Sequence, residues 1–406
     1  MIRCQKIVVM FLFVIYGTSL FSQKENFQSF SFSNNAGCDN ITFNYVNDRI
    51  YIPATIEDSI ECLLFLDSGV KNVLLDSSFV ARNKNKLGLF INTHPNYYTS
   101  IGGIYTFYQT LFVWSKNSER KQNQKIQIGN SVVFEEHPLV SNQRDDVGSG
   151  IFPLLLLAKD QIVNINVKER KMALLDMIDN KSDSISFEID PYSSAPIINI
   201  SILLHGIDTL HLIKGNFLLD LGFRGDLVLS ESVLEKQLNQ VPYQEYVYTS
   251  SSVKNVSTVK ESYNISLDIN NIHAKNTTIV YTKTLSPNII GIIGLGILKH
   301  INFAVDYREC FFHYHLDYPS IQNPPYIMDE KNFGVNLIKQ SSLLYIGKIR
   351  KGGKADILDV KLLDKVIQID DHYVTKENCD LLFSKLPLAK KLVIQQNNGK
   401  NITLQK

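Results

Sequence analysis

The chain of 406 residues is poor in several things that would point to common functions. It has one tryptophan, five cysteines, five methionines and almost no net charge, since 41 Lys and Arg stand against 40 Asp and Glu. A formal charge of +1 without a basic run removes the electrostatic ground for a nucleic-acid partner. Alanine is scarce, which argues against a fold built from long helices. Neither Gly-x-Ser-x-Gly nor His-Glu-x-x-His occurs, so the signatures of the serine hydrolases and of the zinc peptidases are missing. No segment beyond the N-terminus is apolar enough to cross a bilayer, which predicts no stable membrane span after removal of a leader.

What is present favours strands. Hydrophobic residues make up 44% of the chain and charged residues 20%, enough to bury a core. Phe and Tyr are plentiful, Ile and Val are common, and Asn and Ser supply turns. The length predicts several units. At the N-terminus, Arg3 and Lys6 precede the apolar run Ile7-Val-Val-Met-Phe-Leu-Phe-Val-Ile15, and small residues follow to Ser22. That order reads as a signal peptide over residues 1–22, so the mature protein is expected to be exported, periplasmic or secreted. Export permits disulfides, but Cys38, Cys62, Cys310 and Cys379 are scattered and fix no pairing. Cys62, within Cys-Leu-Leu-Phe-Leu, reads as a buried thiol.

The strongest signal is an internal repeat. Asp67-Ser-Gly-Val-Lys-Asn-Val-Leu-Leu-Asp-Ser-Ser-Phe-Val80 aligns without gaps to Asp220-Leu-Gly-Phe-Arg-Gly-Asp-Leu-Val-Leu-Ser-Glu-Ser-Val233. The Asp, the Gly, a Leu, a Ser and the final Val coincide, and Lys71 matches Arg224. Each copy follows a hairpin pattern that ends in an apolar strand, so each Asp sits at a strand end before a Gly turn. Each copy is followed later by an apolar element, Gly150-Ile-Phe-Pro-Leu-Leu-Leu-Leu157 and Gly291-Ile-Ile-Gly-Leu-Gly-Ile-Leu298, and then by another strand-like segment. One duplicated unit explains this, and two copies packed about a pseudo-two-fold axis would bring the Asp turns together.

Asp-Ser-Gly after an apolar strand, together with a later apolar-apolar-Gly element, resembles the aspartic peptidases, in the retropepsin-like branch and in a fused single-chain form. The resemblance covers roughly residues 40–316. It implies a mainly β fold of two similar acid-protease-type lobes, residues 23–180 and 181–318. It also implies an aspartic-type endopeptidase that acts on polypeptides with Asp67 and Asp220 as the catalytic pair and needs no cofactor and no metal. Ser68, Gly69, Leu221 and Gly222 would support the catalytic loops. In the family, the residue after each Asp carries a hydroxyl that bonds across to the opposite loop. Ser68 fits that role, and Leu221 departs from it, so half of the brace is expected to be missing. Pro153, where the second copy has Gly294, is a lesser departure. The departure at Leu221 also keeps open a catalytically weak or inactive relative that binds peptides or serves as a scaffold. Tyr98-Thr-Ser-Ile-Gly-Gly-Ile-Tyr105 is the candidate flap, with Ile101, Gly102 and Gly103 at its tip.

Beyond a Pro-rich linker, residues 326–406 resemble a PDZ domain, a small α+β unit. Ala355-Asp-Ile-Leu-Asp-Val-Lys-Leu-Leu-Asp-Lys-Val-Ile-Gln-Ile-Asp370 carries the likeness to Ala-x-x-x-Gly-Leu-x-x-Gly-Asp-x-Ile-x-x-Ile-Asn, with Asp359 and Leu363 at the two glycine positions. The resemblance implies a groove that takes a peptide C-terminus by strand addition. Two other patterns carry less. Gly291-x-x-Gly294-x-Gly296 has the wrong order for a dinucleotide loop, and Cys310, His313 and His315 lie in an alternating strand pattern that gives no reason to expect a metal.

Overall fold

A computed structural model describes residues 39–87, 89–100, 103–112, 124–129, 131–135, 139–141, 147–178, 183–205, 209–238, 241–250, 253–283, 285–286, 288–315, 320–323, 333–340 and 342–405. The signal-peptide reading and much of the linker lie outside these residues. The fold is mainly β, and its helices are short. Among the described residues no helix is long and apolar enough to cross a membrane.

After two short strands, Asp39–Thr42 and Asn44–Val46, the first half forms the hairpin of β1 (Arg49–Ile56) and β2 (Ile60–Asp67), paired from Tyr51↔Phe65 to Ile56↔Ile60. Alternation drives it: Ile50, Ile52, Ala54 and Ile56 on β1 and Leu64 and Leu66 on β2 are buried in one core. After the Asp67 turn come β3 (Leu74–Asp76) and helix α1 (Ser77–Leu87). The Asp76 carboxylate accepts from the N–H groups of Ser78 (2.8 Å) and Phe79 (3.1 Å), the usual remedy for unpaired donors at a helix start. A long hairpin follows, β4 (Leu89–Ser100) and β5 (Gly103–Phe112), then β6 (Leu139–Ser141), β7 (Gly150–Pro153), α2 (Leu154–Ala158) and β8 (Ile162–Asn166). Strand β7 runs parallel to β2 and antiparallel to β3, with Pro153 paired to Asp67.

The second half is also built of strands. Strands β9 (Pro196–His205) and β10 (Leu210–Asp220) form a hairpin. Then come β11 (Leu227–Ser230), α3 (Glu231–Gln237), the long hairpin β12 (Gln244–Ser250) and β13 (Val253–Ile269), and β14 (Ile272–Thr282). Strand β15 (Gly291–Gly294), α4 (Leu295–Leu298) and β16 (Asn302–Asp306) complete it. Strand β15 runs parallel to β10 and antiparallel to β11, with Gly294 paired to Asp220. The halves meet in a shared sheet through antiparallel β8 and β16, Val163↔Val305 to Asn166↔Asn302. One hydrophobic cluster runs through both halves, from Ile41 to Ile321.

A second cluster, from Phe333 to Leu404, belongs to the C-terminal segment. There β17 (Val335–Gln340) pairs with β18 (Leu343–Arg350), which is followed by α5 (Lys354–Ile357), β19 (Lys365–Ile369), α6 (Cys379–Lys385), β20 (Lys391–Gln395) and β21 (Asn401–Gln405). Asp359 (φ 61°) and Leu363 (φ 66°) adopt the left-handed conformation that glycine takes most easily. The segment is stitched to the second half: β18 pairs with β12 over Tyr246↔Arg350, Val247↔Ile349 and Tyr248↔Lys348. Lys348 pairs with Glu261 and stands 4.0 Å over the Tyr246 ring, and Lys351 pairs with Glu245.

Candidate functional site

Asp67 ends β2 and Asp220 ends β10, each beside the parallel strand that returns from its own half, so neighbours on both sides fix each turn. The turns wrap their own carboxylates. The Gly69 N–H donates to Asp67 Oδ1 (2.6 Å), and the N–H groups of Gly222 (2.7 Å) and Phe223 (3.2 Å) donate to Asp220 Oδ1.

The two turns face each other at close range. A Cβ placed on Gly69 would stand 3.2 Å from Asp67 Oδ1 and 3.5 Å from Asp220 Oδ1, so both carboxylates border one point in space. A Cβ placed on Gly222 would lie 2.5 Å from Asp67 Oδ2, the carboxylate of the opposite turn. Neither Gly69 nor Gly222 is among the positive-φ residues, so their value lies in close approach rather than in unusual backbone angles: at 222 the space for a side chain is already taken by Asp67.

Ser68 ties the turns together. It is 2% exposed, its hydroxyl donates to the Leu219 carbonyl (2.8 Å), and it accepts from the Leu221 N–H (2.9 Å). Leu221 has no hydroxyl to return the brace. Its side chain, also 2% exposed, belongs to the main hydrophobic cluster. Further out, the aligned Lys71 and Arg224 each reach a backbone carbonyl of the other half, Lys71 at Pro191 and Arg224 at Asn47 (3.5 Å).

Burial raises the Asp67 pKa to about 7, helped by the charge of Asp220 and opposed by the Gly69 N–H and the Arg49 cation. Burial also raises Asp220, against the N–H groups of Gly222 and Phe223. The arrangement can keep one proton on a pair of carboxylates near neutral pH.

Sequence reasoning missed two neighbours. Arg49, at the start of β1, stands 4.8 Å over the ring of Phe65, two residues before Asp67, and its charge acts on the Asp67 carboxylate. Counting back along the hairpin from Asp67 would have found it. Buried Tyr307, which donates to the Ser194 carbonyl (3.0 Å), feels the Asp67 charge and is held above its ordinary pKa chiefly by burial. No local pattern marks it.

Of the flap candidates, Ile101 and Gly102 lie outside the described residues. Gly103 opens β5 opposite Ser100, at the end of the β4–β5 hairpin, and β5 runs close to β13 of the second half. His313 and His315 lie on the strand Phe311–His315 and Cys310 in the turn just before it, and among the described residues the three do not converge as a metal-binding group. Cys62, Cys310 and Cys379 are free thiols, and burial pushes Cys62 up to about 12. No protein-family profile matches the chain, and no curated protein matches it in sequence.

Proposed function

We propose that this chain is an exported aspartic-type endopeptidase. Its two β halves act as retropepsin-like lobes related by a pseudo-two-fold axis, and the C-terminal segment acts as a PDZ-like unit. The observation that carries the reading is the facing of Asp67 and Asp220, each at the end of a matched strand, across turns joined by Ser68. Two carboxylates about 3 Å apart cannot both ionise and share one proton. The ionised partner takes a proton from the attacking water while the protonated one donates to the scissile carbonyl oxygen. No covalent intermediate and no cofactor are needed. The substrate is a polypeptide held in extended form under the β4–β5 hairpin. The β17–β18 region with α6 would take a peptide C-terminus by strand addition. Export rests on Arg3, Lys6 and the apolar run after them.

The test is cleavage of an unfolded polypeptide by the purified mature protein. Asp67→Asn and Asp220→Asn each abolish it, and a general aspartic-peptidase inhibitor slows it. Cleavage that persists unchanged in both variants places the activity elsewhere.

Leu221 favours a second reading, a relative that binds peptides in the cleft and cuts them slowly or not at all. Wild-type protein that binds an extended peptide, and releases it intact after prolonged incubation, selects that reading.

A further inference from the structure

Away from the aspartate turns, three side chains meet on the sheet of the second half. Asp268 of β13 is paired with Leu203 of β9 on one side and with His273 of β14 on the other. His205 lies two residues beyond Leu203, so His205, Asp268 and His273 project from one face of three adjacent strands. His205 Nε2 lies 2.7 Å from Asp268 Oδ2, and His273 Nδ1 bonds Oδ1 of the same carboxylate. The imidazole rings stand nearly perpendicular, at 88°, with centroids 5.9 Å apart. One donor atom from each residue falls within 4.8 Å of the others. The side chains are 36%, 29% and 33% exposed, so one side of the cluster is open to solvent.

The geometry points to a divalent-metal site with His205, His273 and Asp268 as protein ligands, independent of the aspartate pair. Two neutral imidazoles and one carboxylate suit zinc and its late first-row neighbours, whereas calcium and magnesium favour oxygen ligands. Zinc held at about 2.0–2.2 Å in a tetrahedron separates its ligand atoms by roughly 3.3 Å. That separation lies between the 2.7 Å contact and the 4.8 Å limit of the cluster, so small ring rotations open the site. A bound ion replaces imidazole protons between donors that already converge, and solvent fills the open positions. The staple joins β9, β13 and β14.

The test uses the full mature chain, stripped with a chelator and titrated with ZnCl2 by calorimetry at neutral pH. The expected result is one ion per chain and a raised Tm, with binding lost in His205→Gln and in His273→Gln. Because zinc takes deprotonated ligands and releases their protons on binding, its affinity also falls as the pH is lowered. Folded wild-type protein that takes up no zinc overturns the proposal. So does zinc uptake unchanged in both variants, since the ion then sits elsewhere. Should the variants fail to fold, Co2+ added to wild type decides the matter: visible absorption of nitrogen- and oxygen-ligated cobalt supports the site, and a spectrum no different from free cobalt rejects it.

Discussion

The hydroxyl of Ser68 accepts the backbone N–H of Leu221 at 2.9 Å, across 153 residues of chain, while donating to the carbonyl just before Asp220. A single buried oxygen thus satisfies two backbone groups of the opposite turn. Ser68→Ala leaves the Leu221 N–H without its acceptor inside the core. Unsatisfied buried groups cost about 1–3 kcal/mol. The expected loss in chemical denaturation is of that size, and peptide cleavage falls with it. A variant as stable as wild type would show that the brace contributes nothing.

Leu221→Thr offers the missing hydroxyl at the price of a smaller side chain. The leucine is buried and packed in the main cluster. A large-to-small change in a core costs more than one hydrogen bond returns, so the net loss is about 1–3 kcal/mol. Thermal unfolding is expected at lower temperature, with no substantial gain in cleavage rate. A variant both more stable and many-fold faster would mark Leu221 as a defect and favour the weak-catalyst reading.

Asp67 sets a pH dependence of stability. Its pKa is raised to about 7 in the folded chain, from the ordinary value of 3.8. Between those values the folded state holds a proton that the unfolded state has released, so the unfolded state binds fewer protons and stability falls as pH rises. The contribution is complete below about pH 4 and is lost as the pH passes through about 7. Asp67→Asn carries no such charge. Denaturation curves across that range should show wild type losing stability on the neutral side and the variant following a flatter course. Equal slopes would mean that Asp67 titrates normally. Cleavage, if the pair shares a proton, declines above the same pH.

Asp359 holds a left-handed backbone in the C-terminal segment, a conformation that glycine adopts most easily. Its carboxylate is exposed and meets only the flexible Lys361 ammonium among the ion pairs described. Asp359→Gly removes the backbone strain at the cost of a more flexible unfolded chain, for a net gain of about 0.5–1 kcal/mol. The denaturant midpoint should rise. A fall would show that the Asp359–Lys361 pair outweighs the strain.

Much of this was legible in residues close together in the chain. Alternation of apolar residues and polar turns foretold a strand-rich fold, and the repeat marked Asp67 and Asp220 as ends of matched strands, because both signals depend on neighbours a few positions apart. The sequence also showed that Leu221 breaks the pattern and that Asp359 and Leu363 stand where glycine is usual. It could not show how those exceptions are accommodated. That Leu221 enters the core, that Gly222 is needed for room and not for φ, and that the Arg49 charge acts on Asp67 all depend on how separate hairpins pack together. The pairing of β12 with β18, and the meeting of His205, Asp268 and His273, join residues from distant segments with no shared motif. Local propensity acts over a turn or a strand. Which strands become neighbours is decided only when the whole apolar surface is buried at once, and the tertiary structure alone records that choice.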